Sequence, residues 1–158
     1  MAYADYQFYT TIYYGDTVPE DSFLKYADRA SDRIDVITFD RLVDGLPDDD
    51  RSQTKIKKAV CALSDAIYQI EQIKKASMET VGTVVHEDGT VTGKAVSSVS
   101  SGAESISYVT GTPESNTDIY SQAAMDKKVE NVLLRQIATD YLSGVVDKNG
   151  ICLLYAGI

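Results

Sequence analysis

His86 is the only residue in the chain that could act as an ordinary imidazole base. Glu87 and Asp88 follow it, and a Ser-His-Asp triad uses residues of these types. A triad needs a histidine that is oriented in a pocket, whereas the pair Asp88-Gly89 is a strong signal for a hairpin turn and places His86 at a hairpin tip. The sequence has no Gly-x-Ser-x-Gly motif and no Gly-rich phosphate-binding loop. We therefore expect no catalytic residue and no enzymatic activity.

Cysteines and a run of aspartates are the remaining candidates for metal binding. Cys61 and Cys152 lie far apart without a Cys-x-x-Cys partner, so the short ligand spacing of a zinc site is missing. Cys61 falls on an apolar helical face, which favours a buried free thiol. The run of residues 48–50, all aspartate, is typical of a helix start, where carboxylates accept hydrogen bonds from free N–H groups. We expect no metal and no cofactor.

The composition is that of one globular domain with an acidic surface. The chain has 158 residues, of which 44% are hydrophobic and 25% charged, and its formal net charge is −9. Tight binding to nucleic-acid phosphates needs positive charge, so this balance argues against a nucleic-acid-binding protein. No apolar stretch approaches the length of a membrane span, and we expect neither a membrane segment nor a secretory signal. The chain has 11 Tyr and no Trp, and five of the tyrosines lie in the first 14 residues.

Three apolar stripes with helical spacing predict the core. The first predicts a helix over about residues 18–38 and consists of Phe23, Ala27, Ala30, Ile34 and Ile37. The second predicts a helix over about residues 50–76 and consists of Ile56, Val60, Leu63, Ile67 and Ile70. The third predicts a helix over residues 118–144 and consists of Met125, Val129, Val132, Leu133, Ile137 and Tyr141. The predicted fold class is therefore mainly α, a small bundle of three main helices.

Residues 77–117 predict an inserted β segment between the second and third helices. Residues 80–86 and 90–96 are β-prone and flank the Asp88-Gly89 turn, and residues 105–109 alternate as a third strand would. A hairpin alone is marginally stable in water. It must therefore pack on the helices or pair its edges with another chain.

Two terminal arms complete the predicted single domain of residues 1–158. Residues 1–17 are aromatic, and their mixed spacing favours extended structure over a regular helix. This arm either lies across the helices of its own domain or docks on a neighbouring subunit. Residues 145–158 end in an apolar tail, which either docks on its own core or adds a strand to a neighbour.

Three sequence features together resemble one family of structural proteins. The aromatic arm runs into Thr17-Val18-Pro19-Glu20-Asp21-Ser22-Phe23, and the first helix ends in Arg33-Ile34-Asp35-Val36-Ile37-Thr38-Phe39-Asp40-Arg41. Ser105-Ile106-Ser107-Tyr108 precedes the last helix, and Leu153-Leu154-Tyr155-Ala156-Gly157-Ile158 ends the chain. With these motifs the chain resembles the head–tail connector (adaptor) proteins of tailed bacteriophages and prophages.

The resemblance implies a structural role in the virion without chemistry. Such proteins assemble in the host bacterial cytoplasm as a homo-oligomeric ring on the portal, at the head–tail junction. The ring extends the channel through which DNA passes during packaging, without sequence-specific binding, and provides a platform for the downstream neck or tail-completion protein. The implied partners are the portal protein, neighbouring copies in the ring and that neck protein, and no membrane. The alternative is another non-enzymatic phage assembly factor or a helical protein-binding module.

Three groups of residues are the predicted interface sites. The arm would be anchored by tyrosines and the tail would fill a groove, while the β segment would contact a neighbouring subunit or the portal. The predicted interface residues are Tyr6, Tyr9, Tyr13, Val84, Val91, Ile106, Tyr108, Leu153, Leu154 and Tyr155.

Overall fold

The computed structural model describes residues 2–79, 82–85, 91–94 and 118–156, and of residues 78–79, 82–85 and 91–94 only the backbone. Within these ranges the chain is mainly helical, as the sequence predicts. The helices and strands are α1 (Tyr6–Thr11), α2 (Glu20–Ile37), α3 (Asp50–Glu79), β1 (Gly82–Val85), β2 (Val91–Lys94), α4 (Ile119–Met125) and α5 (Lys127–Leu142).

Helix α3 is the centre of the bundle, and α2 and α5 pack on it. The Arg29 guanidinium on α2 lies 2.7 Å from Glu71 on α3, and the Lys74 ammonium on α3 lies 2.9 Å from Glu130 on α5. The Lys25 ammonium, early in α2, also contacts Glu71, and the Lys55 ammonium, early in α3, donates to the Ser143 carbonyl at the end of α5. Helices α2 and α5 therefore run antiparallel to α3 and parallel to each other. The predicted bundle of three main helices is confirmed.

The apolar stripes predicted for the first two helices form the core. Every residue of the α2 stripe is buried, and the α3 stripe is buried except at the half-buried Ile67. Burying a large aliphatic or aromatic side chain contributes about 1.5–3 kcal/mol. The spacing of apolar residues therefore identified the faces that hold the bundle together.

The prediction of an extended N-terminal arm is wrong for residues 6–11, which form helix α1. The Asp5 carboxylate accepts a hydrogen bond from the Phe8 amide at 2.7 Å and caps the helix. Phe8 and Tyr9 are buried in the same cluster as Phe23 of α2. The mixed spacing of residues 6–11 does not indicate a regular helix, and the tertiary contacts of these residues stabilise one.

The third predicted helix is interrupted at Asp126. Its backbone is extended (φ −123°, ψ 117°), so α4 ends there and α5 begins with the Asp126 carboxylate accepting a hydrogen bond from the Lys128 amide at 2.7 Å. The buried face of the two helices also differs from the predicted stripe and consists of Ala123, Glu130, Leu134, Ala138 and Leu142. Met125 and Val132 of the predicted stripe are exposed instead.

The backbone of β1 pairs antiparallel with that of β2, with Gly82 opposite Lys94 and Val85 opposite Val91. The turn between the strands and residues 95–117, including the predicted third strand, lie outside the described residues. Whether the predicted β segment packs on the helices or on another chain therefore stays a prediction.

Candidate assembly surfaces

Tyr9 ties the N-terminal helix to the rest of the bundle. Its hydroxyl donates a hydrogen bond to Asp65 on α3 at 2.5 Å and accepts hydrogen bonds from the Thr17 and Val18 amides, both at 3.0 Å. A phenol has one hydrogen to donate and two lone pairs to accept, so all three positions are used. The residue is 0% exposed. Tyr9 therefore anchors the N-terminal helix to this chain's own core, and an interface role for it stays a prediction.

The other two predicted arm anchors surround Tyr9. Tyr13 stacks on it with ring centroids 5.7 Å apart, and Tyr6 lies 5.9 Å from Tyr9 and 5.6 Å from Phe23. Gly15 follows directly, and a Cβ there would fall 2.1 Å from the Tyr9 ring, so only glycine lets the chain turn around the ring. The aromatic residues of the arm thus form one tight cluster.

Asp65 is a carboxylate held inside this aromatic cluster. Burial is the main reason that its pKa lies above the usual value, although the hydrogen bond from Tyr9 works in the opposite direction. Burial, together with the hydrogen bond to Asp65, raises the pKa of Tyr9 to about 12, and burial also raises the pKa of Tyr13. The fold therefore keeps the Tyr9 phenol protonated above pH 10, where a free tyrosine ionises.

A second tyrosine–carboxylate contact fastens the start of the chain. The Tyr3 hydroxyl donates to Asp35 on α2 at 2.6 Å, and the Tyr3 amide donates to the Ser31 hydroxyl at 3.0 Å. Within this single chain the arm lies across its own helices, and docking on a neighbouring subunit stays a prediction.

The C-terminal tail is also attached to its own chain. Leu153 is fully buried, and its amide donates to the Val145 carbonyl at 2.9 Å. The Tyr155 carbonyl accepts a hydrogen bond from the Arg41 guanidinium at 2.7 Å. Leu154 is half-buried and the Tyr155 side chain is 52% exposed. The predicted tail site thus separates into a core residue and an exposed aromatic residue.

The predicted interface also includes four residues of the β segment, whose side chains the structure does not describe. Val84 and Val91 lie in β1 and β2, of which only the backbone is described. Ile106 and Tyr108 lie outside the described residues. An interface role for these four residues stays a prediction.

An apolar surface on α4 and α5 was expected to be core and is instead exposed. Met125 is 79% exposed and Val132 is 66% exposed, and Ile119 is exposed beside them. Ile119 and Val132, together with the half-buried Val129 and Leu133, line a shallow groove of about 390 Å³. The predicted stripe contains Leu133, Ile137 and Tyr141, whereas the buried face contains the next residue in each case, Leu134, Ala138 and Leu142.

A second groove runs between α2 and α5. Arg33 on α2 donates a hydrogen bond across it to the Asn131 side chain on α5 at 2.8 Å. The groove is lined by the apolar side chains of Val132 and Val36, of which Val36 is 66% exposed, and by Arg135. Sequence reasoning missed this groove because its walls come from helices far apart in the chain.

The turn that joins α2 to α3 is a third exposed surface. Val43 is 65% exposed, and the acidic side chains of Asp44, Asp48, Asp49 and Asp50 around it are exposed too. Asp49 accepts a hydrogen bond from the Ser52 amide at 2.8 Å, which confirms that the run caps a helix. We call residues 43–50 the acidic turn.

The comparisons with known proteins leave the resemblance to connector proteins as a sequence-based interpretation. No family model, no curated protein and no solved structure matches the chain. Among the residues that the structure describes, no group of three or more His, Cys, Asp or Glu side chains is arranged to hold a metal ion. None of the described helices combines the length and apolarity needed to cross a bilayer.

Proposed function

We propose that this chain is a phage or prophage head–tail connector, a structural virion protein that assembles as a ring on the portal. The ring extends the DNA channel and carries the neck or tail-completion protein. The sequence motifs around Thr17, Arg33 and Leu153 suggest this family, and a small helical domain suits the role.

The observation that carries the proposal is that apolar side chains are exposed on separate elements of one small bundle. A closed ring of identical subunits needs two different, complementary surfaces on each subunit. The α4–α5 face exposes Met125 and Val132, whereas the acidic turn between α2 and α3 exposes Val43. Contiguous exposed apolar surface is unusual on a monomer and marks a contact surface.

The net charge of −9 also suits a DNA conduit. A channel lined with lysine and arginine would bind phosphates and retain the DNA, whereas an acidic subunit lets the DNA slide.

The test is reconstitution with the portal protein encoded in the same genome. Electron microscopy of portal rings mixed with this chain at micromolar concentration should show one additional ring of density on the portal. The matched variants are Met125→Asp, on the exposed α4–α5 face, and Ile12→Asp, an exposed apolar residue of the N-terminal region. We expect the first to lose the added ring and the second to keep it. Portal and wild-type chain that never associate would overturn the proposal.

One observation favours the alternative of another assembly factor or helical binding module. A connector tail should be needed for assembly and not for folding, yet Leu153 is fully buried in the core of its own chain. The same experiment separates the two functions, because an assembly factor would bind another virion component and leave the portal ring unchanged.

A further inference from the structure

The groove between α2 and α5 combines an apolar lining with unneutralised positive charge. Two adjoining depressions of about 340 Å³ each share Arg33, Val36 and Leu134 and so form one continuous groove, which Ile67 of α3 also lines. Of the cations along it, Arg29 and Lys127 are paired with Glu71 and Glu130 respectively.

Arg33 and Arg135 are the two cations of the groove that no carboxylate of the described ranges neutralises. Arg33 donates its hydrogen bond to a neutral amide, and Arg135 is exposed beside Ile37. Asp32 lines one end of the groove, so the charge around the two arginines is positive on balance. A surface of this kind favours a ligand with one apolar side chain flanked by carboxylates.

The acidic turn of the same protein has that chemistry. It presents the exposed Val43 next to Asp44, and the Asp44 and Asp48 carboxylates carry no hydrogen bond in the described part of the chain. The turn is held in shape by the buried Leu42 and by the Gln53 side chain, which donates to the Pro47 carbonyl at 2.9 Å. A preformed turn loses little conformational freedom on binding.

We propose that the acidic turn of one copy docks into the α2–α5 groove of the next copy. Val43 packs against Val36 and Val132, while the Asp44 and Asp48 carboxylates pair with Arg33 and Arg135. Because the turn and the groove are different surfaces, the contact is head-to-tail, and it continues into a ring or a filament. The inference rests on the proposed function only for closure into a ring on the portal.

Charge reversal tests the contact directly. Arg33→Glu with Arg135→Glu reverses the two arginines of the groove, and Asp44→Lys with Asp48→Lys reverses the two carboxylates that would pair with them, without touching the helix cap at Asp49. Each double variant alone should self-associate about 100-fold more weakly than wild type, because like charges then face each other in these pairs. An equimolar mixture should regain association, since each pair then again joins opposite charges. Sedimentation velocity at low salt measures all four samples, and a mixture that stays as weak as its components contradicts the proposal.

A disulfide experiment locates the contact and separates it from the proposed function. In a Cys152→Ser background, with Cys61 buried, chains carrying Val36→Cys and chains carrying Val43→Cys are mixed and oxidised. We expect only the mixed dimer, whereas dimers of Val36→Cys alone would indicate a two-fold contact and overturn the head-to-tail arrangement. A portal-bound ring without this cross-link overturns the inference alone. A cross-link without portal binding overturns the proposed function alone.

Discussion

The N-terminal arm and the α4–α5 face are both apolar, and their roles are the reverse of those that their sequences suggest. The arm has irregular spacing and was expected to lie at the periphery, yet Tyr9 is completely buried. The α4–α5 stripe has regular helical spacing and was expected to be core, yet Met125 and Val132 are exposed. Polar contacts account for the burial of the arm, because the Tyr9 hydroxyl finds partners on neighbouring elements for all of its hydrogen-bonding positions.

The largest expected effect is that of removing the buried arm anchor. Tyr9→Ala should lower the free energy of unfolding by about 3–5 kcal/mol, as truncation of a buried aromatic side chain does. The control is Tyr14→Ala, since Tyr14 is 81% exposed, and it should change the stability by no more than about 0.5 kcal/mol. Urea denaturation measures both. Equal, small effects would show that the arm does not belong to the folded core.

The C-terminal tail offers the same contrast between a buried and an exposed residue, since Leu153 and Tyr155 are two positions apart. Leu153→Ala should cost about 2–5 kcal/mol, because it opens a cavity in the core. Tyr155→Ala should cost about 1 kcal/mol or less, because that side chain is half exposed while its backbone carbonyl still accepts the bond from Arg41. Thermal unfolding distinguishes the two variants. If Leu153→Ala leaves the transition in place, the tail is not core.

The sequence predicts where the helices of this fold lie better than it predicts which face of each helix is buried. Stripes at steps of three and four residues identified α2 and α3, because there the apolar face and the buried face coincide. On α5 they do not, since the buried face includes Glu130, whose burial is offset by ion pairs with Lys74 and Lys127. A hydrophobic pattern cannot predict a buried carboxylate whose partner lies on another helix.

The candidate surfaces were less predictable for a similar reason. Arg33 and Arg135 line one groove only because α2 and α5 run side by side along α3, and their spacing in the chain carries no such signal. The Tyr9–Asp65 pair likewise joins α1 to α3 through the tertiary fold. In contrast, the acidic turn could be read from the residues alone, since an aspartate run before a helix is a local signal.

Removing only the Tyr9 hydroxyl has a smaller effect that depends on pH. Tyr9→Phe removes one hydrogen bond from Asp65 and leaves the Thr17 and Val18 amides without the hydroxyl that they bind, which should cost about 1–3 kcal/mol. Because the pKa of Tyr9 is raised from 10.0 to about 12 in the fold, its stabilisation is complete below pH 10 and is lost as the pH rises towards 12. The stability gap between wild type and Tyr9→Phe should therefore narrow in that interval.

Tyr3 is the internal control for this alkaline experiment. Its pKa is also raised, it pairs with Asp35 and not with Asp65, and it is present in both proteins, so its contribution cancels in the difference. Urea unfolding of the two proteins at successive pH values gives the gap. A gap that is constant from pH 8 to pH 12 would contradict a phenol held protonated by the fold.

The smallest expected effect on stability is on α5, where two neighbouring residues separate core from surface. Val132→Ser should change the free energy of unfolding by no more than about 0.5 kcal/mol, because the side chain is 66% exposed. Leu134→Ala, two positions along the same helix, should cost about 2–5 kcal/mol.

The stability result alone only places Val132 on the surface. Its role follows from the Val36–Val43 cross-link, which Val132→Ser should weaken because Val132 also lines the α2–α5 groove. If Val132→Ser changes neither the stability nor the cross-link, the exposed apolar residues of α5 take no part in the contact between copies. The arm and α5 would then differ only in how they pack, and not in a role in assembly.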